Sequence, residues 1–174
     1  MAPESTSFVL GQVVNWSKEN MQDDLWQFAV EFYAQAGIEA ASLELQAAGG
    51  DVCVLLCALW LGRQGVAWEE LRTNALQALA GPWQNDVITP LRTLRQQWRT
   101  PAQGDAALAT LREQVKQLEL GAERELLGRL QTLSAPWPRT GAQDAAQWLE
   151  HALPLAARAH HEALHRMRTA QGLL

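Results

Sequence analysis

The sequence predicts an all-α fold, a single-domain helical bundle of about six to seven helices with a central buried apolar helix. Helix formers dominate the chain, and period-two runs of β-branched residues are almost absent, the nearest being Phe8 to Val14. Apolar residues at spacings of three and four recur in segment after segment, the mark of amphipathic helices. The third observation is the stretch Val52 to Leu61, apolar on all sides, which on a helix means burial on every face. With 174 residues, 48% of them apolar and 19% charged, the chain can bury a core without disulfides or metals.

Residues 1–20 are weakly patterned, with Ser, Thr, Pro and Asn scattered through them. They read as a loose N-terminal arm or an over-annotated start, and residues 21–174 as one helical domain. Asp23-Asp24 ahead of Leu25 places acidic caps before an apolar stripe made of Leu25, Phe28, Ala29, Phe32, Tyr33 and Ala36, and this first helix is expected to stop at Gly37. A second, Ile38 to Ala48, ends at Gly49-Gly50. Asp51 then caps the central apolar helix.

After Gly62 and Gly65, an amphipathic helix is expected over about Trp68 to Ala80, closed by Gly81-Pro82. Val87, Leu91, Leu94 and Trp98 share one face of the next segment, where Thr89-Pro90 either starts a helix or kinks a longer one. From Asp105 to Leu133, apolar residues at 108, 111, 115, 118, 122, 126, 130 and 133 predict a heptad-like seam. A Pro-rich connector, Ser134 to Gly141, leads to a final helix over about Ala142 to Ala170, bent at Pro154.

The stretches Asp23-Asp24-Leu25-Trp26-Gln27-Phe28, Gly37-Ile38-Glu39-Ala40-Ala41 and Gly50-Asp51-Val52, with Leu55-Leu56 and Leu59-Trp60-Leu61-Gly62 following, carry a resemblance. The chain resembles a group of proteobacterial proteins built on an all-helical domain of unknown function, about 150 residues long, an ordinary domain size. The resemblance runs from Met21 to about residue 165 and is specific between residues 23 and 62. Cys53 departs from the group's pattern, in which an Asn follows the Asp-Val pair. The resemblance implies fold and bacterial origin and no activity.

Net charge is −5, but unevenly placed. Residues 1–87 carry eleven acidic and three basic side chains, a balance of −8, and residues 88–174 carry eight and eleven, a balance of +3. Such dipolar chains can associate head to tail, so self-association is a candidate. Overall acidity argues against a dedicated nucleic-acid binder. Cys53 and Cys57 sit in the apolar run and read as reduced core thiols of a cytoplasmic protein. No signal peptide is visible, and the longest uncharged apolar run is about half of the roughly 20 residues that a spanning helix needs, so no membrane partner is expected.

The sharpest chemical motif is His161-Glu162-Ala163-Leu164-His165, an H-E-x-x-H. On a helix, His161 and His165 lie one turn apart and could hold zinc, with Glu162 as the base of a metal-dependent hydrolase. The nine residues after His165 include no Asp, Glu or His to complete the site. The preferred expectation is therefore no cofactor and no catalytic residue, with zinc as the alternative. A labile metal or haem on His160, His161 or His165 is a further one. Arg92, Arg95 and Arg99 share a face beside Trp98 and form the candidate interaction surface; with Arg158, Arg166 and Arg168 near the C-terminus they could, as a second alternative, bind nucleic acid, and a solvated face or partners for Glu is the structural reading of the same residues. Taken together, the eight Trp, the charge asymmetry and the lack of a clear polar constellation favour an interaction protein, an adaptor or regulator of another bacterial protein, over an enzyme.

Overall fold

Asp24 opens the first helix of the computed structural model, which describes residues 24–172. The expected arm over residues 1–20 lies outside them. The Asp24 carboxylate accepts from the backbone N–H groups of Trp26 (2.8 Å) and Gln27 (3.2 Å), satisfying two of the donors that a helix start leaves orphaned. Helix α1, Leu25–Tyr33, buries Leu25, Phe28, Ala29, Phe32 and Tyr33. It ends one turn before Gly37, and the glycine instead opens α2, Ile38–Ala47.

Helix α2 closes with a double backbone bond. Gly49, at φ 90°, lets the Gly50 N–H reach the Leu45 carbonyl (2.9 Å) while its own N–H reaches Gln46 (3.0 Å). The chain is thereby aimed at Asp51, whose Oδ1 accepts from the N–H groups of Cys53 (2.9 Å) and Val54 (3.1 Å) and starts α3, Val52–Arg63. Every residue of α3 from Val52 to Gly62 is buried. Leu55, Leu56, Leu59 and Leu61 are each at most 1% exposed, and such burial is worth roughly 1.5–3 kcal/mol per side chain. At the far end Gly65, at φ 71°, repeats the same double closure, with Val66 bonding to Leu61 and Gly65 to Gly62.

That closure anchors a distant segment. The Gly65 carbonyl accepts from the N–H groups of Thr140 and Ala142, and Val66 bridges Arg139. The Val66 carbonyl accepts from the indole N–H of the fully buried Trp148 (2.8 Å) in α7, Ala145–His151. Close packing completes the joint: a methyl placed on Gly62 would come within 2.7 Å of the Ala145 Cα. Among the described residues, this isolated bridge is the one β-type pairing and no strand forms.

Helix α4, Glu70–Trp83, does not close at Gly81-Pro82 as the sequence predicts. It runs through Pro82 into a π-helical turn, Gln84–Ile88, and on into α5, Thr89–Gln97. Proline removes the N–H that would meet the Ala78 carbonyl, and a widened turn downstream is a known way to absorb such a gap. Pro90 falls in the first turn of α5, where its missing donor costs nothing. A single 3₁₀ turn, Pro101–Gln103, then leads to α6.

Helix α6, Ala106–Ser134, has 29 residues and is capped by Asp105, whose Oδ1 accepts from Leu108 (3.0 Å). At ~1.5 Å per residue it is the longest element. Its buried stripe is Val115, Glu119, Ala122, Glu123, Leu126, Leu127, Leu130 and Ser134. Leu111 and Leu118, assigned to the seam by their heptad spacing, are 48% and 60% exposed. Two glutamates occupy inward seats instead, because the facing α5 presents arginines.

The expected single bent helix over 142–170 is three pieces: α7, then α8, Leu155–Arg158, then α9, His161–Gln171. Pro154 stands at the start of α8 with ψ 158°, so it breaks the helix where a bend was expected. Helix α9 packs along α2, and the His160 Nδ1 meets the Glu44 carboxylate at 2.8 Å. No helix among the described residues is long and apolar enough to cross a membrane.

Candidate functional site

The arginines singled out on α5 turn inward. Arg92 donates from Nε to Glu119 (2.8 Å) and from Nη2 to Glu123 (2.8 Å). Arg95 donates from Nε and Nη2 to the two oxygens of Glu119 (2.5 and 3.2 Å). Its backbone carbonyl takes the Nε–H of Arg112 (3.1 Å). The side chains of Arg95, Glu119 and Glu123 are at most 6% exposed and that of Arg92 16%. Of the predicted interaction face, Trp98 is half-buried and Arg99 exposed.

Burial pushes the Glu123 carboxyl up to about 8, against the opposing pull of Arg92. Burial also raises both thiols: Cys53, with Asp51 adding to the effect, and Cys57. Neither thiol offers a nucleophile at neutral pH. In the α5–α6 cluster each guanidinium and each carboxylate is thus paired with an opposite charge across the two helices. That is the geometry of a packing device.

The H-E-x-x-H at the start of α9 is exposed at His161, Glu162 and His165. Glu162 pairs with Arg166 one turn on. Among the described residues, no three His, Cys, Asp or Glu side chains converge as a metal site would require.

A different place gathers polar groups without closing them. Between α4 and the 151–158 segment lies an open cleft of about 690 Å³ that reaches Asp51 and Val54 at the start of α3. Its α4 wall offers Glu70, Thr73, Asn74 and Gln77, spaced so that they share one face. Its other wall is His151 to Leu155 and Arg158. At one end the Trp68 and His151 rings stack with centroids 4.1 Å apart. The Trp68 backbone N–H is held by Asp144 (2.9 Å) and its indole N–H by Thr73 (3.0 Å). The joint of α3 with α7 and the Gly65 closure therefore fix the distance between the two walls.

Partnering in the cleft is incomplete. Asp51 uses Oδ1 on the α3 cap, and burial raises its carboxyl while the two backbone bonds and Arg92 oppose that. Arg158 gives its Nε–H to the Leu153 carbonyl (3.0 Å). The side chains of Glu70, Asn74 and Gln77 have no hydrogen-bond or ion-pair partner among the described residues. Leu155 on one lip is 79% exposed.

Sequence reasoning found Asp51, as a cap, and missed the rest of the cleft. The lining comes from three separated segments, residues 49–54, 68–81 and 151–158, and no spacing rule joins them. The protein is all-helical, with one set of paired charges enclosed between α5 and α6 and an open, solvent-exposed polar cleft between α4 and residues 151–158. Residues 24–130 match the family described as "Protein of unknown function (DUF2390)", more than half of the chain, and the protein belongs to that family. No curated protein and no solved structure matches it. The matched stretch includes Asp51, the α4 wall and most of α6. It ends before the H-E-x-x-H.

Proposed function

We propose that this protein is a bacterial interaction module, an adaptor or regulator, folded as one helical bundle around α3, and that another protein docks in the cleft between α4 and residues 151–158. The observation that carries this reading is the contrast in pairing. Glu69, Glu119, Glu123, Glu125 and Glu162 meet arginines, whereas Glu70, Asn74 and Gln77 line an open cleft with no partner among the described residues. Neighbouring amide side chains supply both donors and acceptors, which suits them to peptide groups of an incoming chain. The exposed Leu155 at one lip supplies the apolar contact that such docking needs.

The pairing of Glu162 with Arg166, and the want of a third ligand beside His161 and His165 among the described residues, weigh against the zinc-hydrolase alternative. The internal use of Arg92 and Arg95 weighs against nucleic acid. The test is capture from the native host with the tagged full chain, run in parallel with Asn74→Arg. A protein held stoichiometrically by the wild type and lost by Asn74→Arg, at unchanged helix content, is the expected result. The same protein held equally by both would move the docking surface away from the cleft.

A further inference from the structure

Helix α6 carries a second patterned face, on the side away from its buried stripe. The residues that alternate four and three apart, from 107 through 111, 114, 118, 121, 125 and 128 to 132, are all exposed. That spacing is the repeat by which helices pair, and here it falls on the outward side. Two large apolar side chains stand on it seven residues apart, Leu111 and Leu118, at 48% and 60% exposure. Two glycines stand on it seven apart as well, Gly121 and Gly128, and a methyl placed on either meets nothing within 4 Å. The face therefore has two knobs in its N-terminal half and two hollows in its C-terminal half.

That order decides what fits. A second α6 laid antiparallel, with a two-fold axis level with the midpoint between Leu118 and Gly121, sets Leu118 over the partner's Gly121 and Leu111 over the partner's Gly128. The same register sets Glu125 opposite the partner's Gln114. One oxygen of Glu125 is held by Arg129 (2.9 Å), and the Gln114 amide, which has no partner among the described residues, can donate to the other. Parallel pairing would set Glu125 against its own copy and glycine against glycine, so charge and shape select the same arrangement. We propose that two copies of this protein pair antiparallel through the outer face of α6, each seating Leu111 and Leu118 in the hollows at the partner's Gly128 and Gly121. The stripe is ~38 Å long and ~10 Å wide, roughly 400 Å² per copy against the ~800 Å² of a standard interface. The dimer is accordingly weak, half-formed at on the order of 100 μM. It makes no use of the cleft, so it stands or falls apart from the docking reading.

The test is sedimentation equilibrium of the full chain from about 5 to about 500 μM, a range that brackets the expected midpoint. Leu118→Lys puts a charge at the centre of the face, and Gly121→Gln fills a hollow. Both positions are exposed, so both variants should keep the wild-type helix content, and Gly121→Gln should melt higher because glycine is a poor helix former. Both are expected to stay monomeric over the range in which the wild type becomes a dimer. The register is read by mixing Leu111→Cys with Gly128→Cys under mild oxidation, the native Cys53 and Cys57 being buried. Unlike chains should link, whereas either variant alone should not, since like positions lie ~25 Å apart along the paired helices. A wild type that stays monomeric throughout overturns the proposal, as does a dimer that survives both Leu118→Lys and Gly121→Gln. Links between like chains in preference to unlike ones overturn the antiparallel register.

Discussion

Two polar regions of this molecule differ in what is left over. Between α5 and α6, the buried Arg95, Glu119 and Glu123 and the half-buried Arg92 are joined by bonds of 2.5–3.2 Å. Between α4 and residues 151–158, Glu70, Asn74 and Gln77 stand in an open cleft with nothing to bond among the described residues. The first region resembles an active site by its burial and its raised carboxyl, yet each of its charged side chains is already paired across the two helices. The second has ordinary residues and an open place. Perturbed ionisation marks function only where a group is also accessible.

The comparison can be broken most forcefully from the sealed side. Glu119→Leu strands the buried Arg95 guanidinium and leaves Arg92 with Glu123 alone, and should cost about 3–5 kcal/mol of stability by urea denaturation. Replacing Arg92, Arg95, Glu119 and Glu123 together with Met and Leu should restore most of it, since apolar side chains of similar volume remove the desolvation cost along with the attraction. A quadruple variant as unstable as Glu119→Leu alone would contradict a packing role.

Gly62→Ala should cost about 1–3 kcal/mol, because the new methyl meets the Ala145 backbone at 2.7 Å and must push α7 away from α3. The same displacement moves His151 and widens the cleft, so partner capture should weaken along with thermal stability. Unchanged capture by a destabilised Gly62→Ala would separate the two.

A smaller effect distinguishes the regions by pH. Glu123 has its folded value pushed up to about 8, above the ordinary glutamate range, so between those limits the folded state binds more protons than the unfolded one. Its contribution is fully present below the unfolded value and is lost as pH rises through about 8. The melting temperature should therefore fall between pH 6 and pH 9, and Glu123→Gln, which keeps a carbonyl for Arg92, should flatten that fall. A wild-type curve that rises over the same range would contradict the sign. The smallest stability effects belong to the cleft: Glu70→Gln and Asn74→Ala should each lie within about 0.5 kcal/mol of the wild type. A larger loss in either would mean that the cleft residues are structural too.

What the sequence made legible follows from what leaves a local trace. Asp24 and Asp51 as caps, and α3 as the fully buried helix, could be read because a cap and an all-round apolar run are local signals. The inward turn of Arg92 and Arg95 could not, since an arginine face has the same spacing whether it meets water or glutamate. Heptad counting placed Leu111 and Leu118 inside and passed over Glu119 and Glu123, because it scores apolarity and is blind to charges that pair across helices. Pro82 read as a stop, and only the downstream π turn explains how the helix continues. The cleft left no trace, because its walls come from segments some 80 residues apart in sequence, brought together by the Trp148–Val66 bond and by Asp144 on Trp68.

The most direct test of the division between a sealed structural cluster and an open docking cleft is hydrogen–deuterium exchange on the full chain, free and in complex with the captured partner. Slowed exchange is expected over Glu70–Gly81 and residues 151–158, with α5 and the first half of α6 unchanged. Slowed exchange confined to residues 92–118, with the α4 and 151–158 walls unaffected, would contradict it.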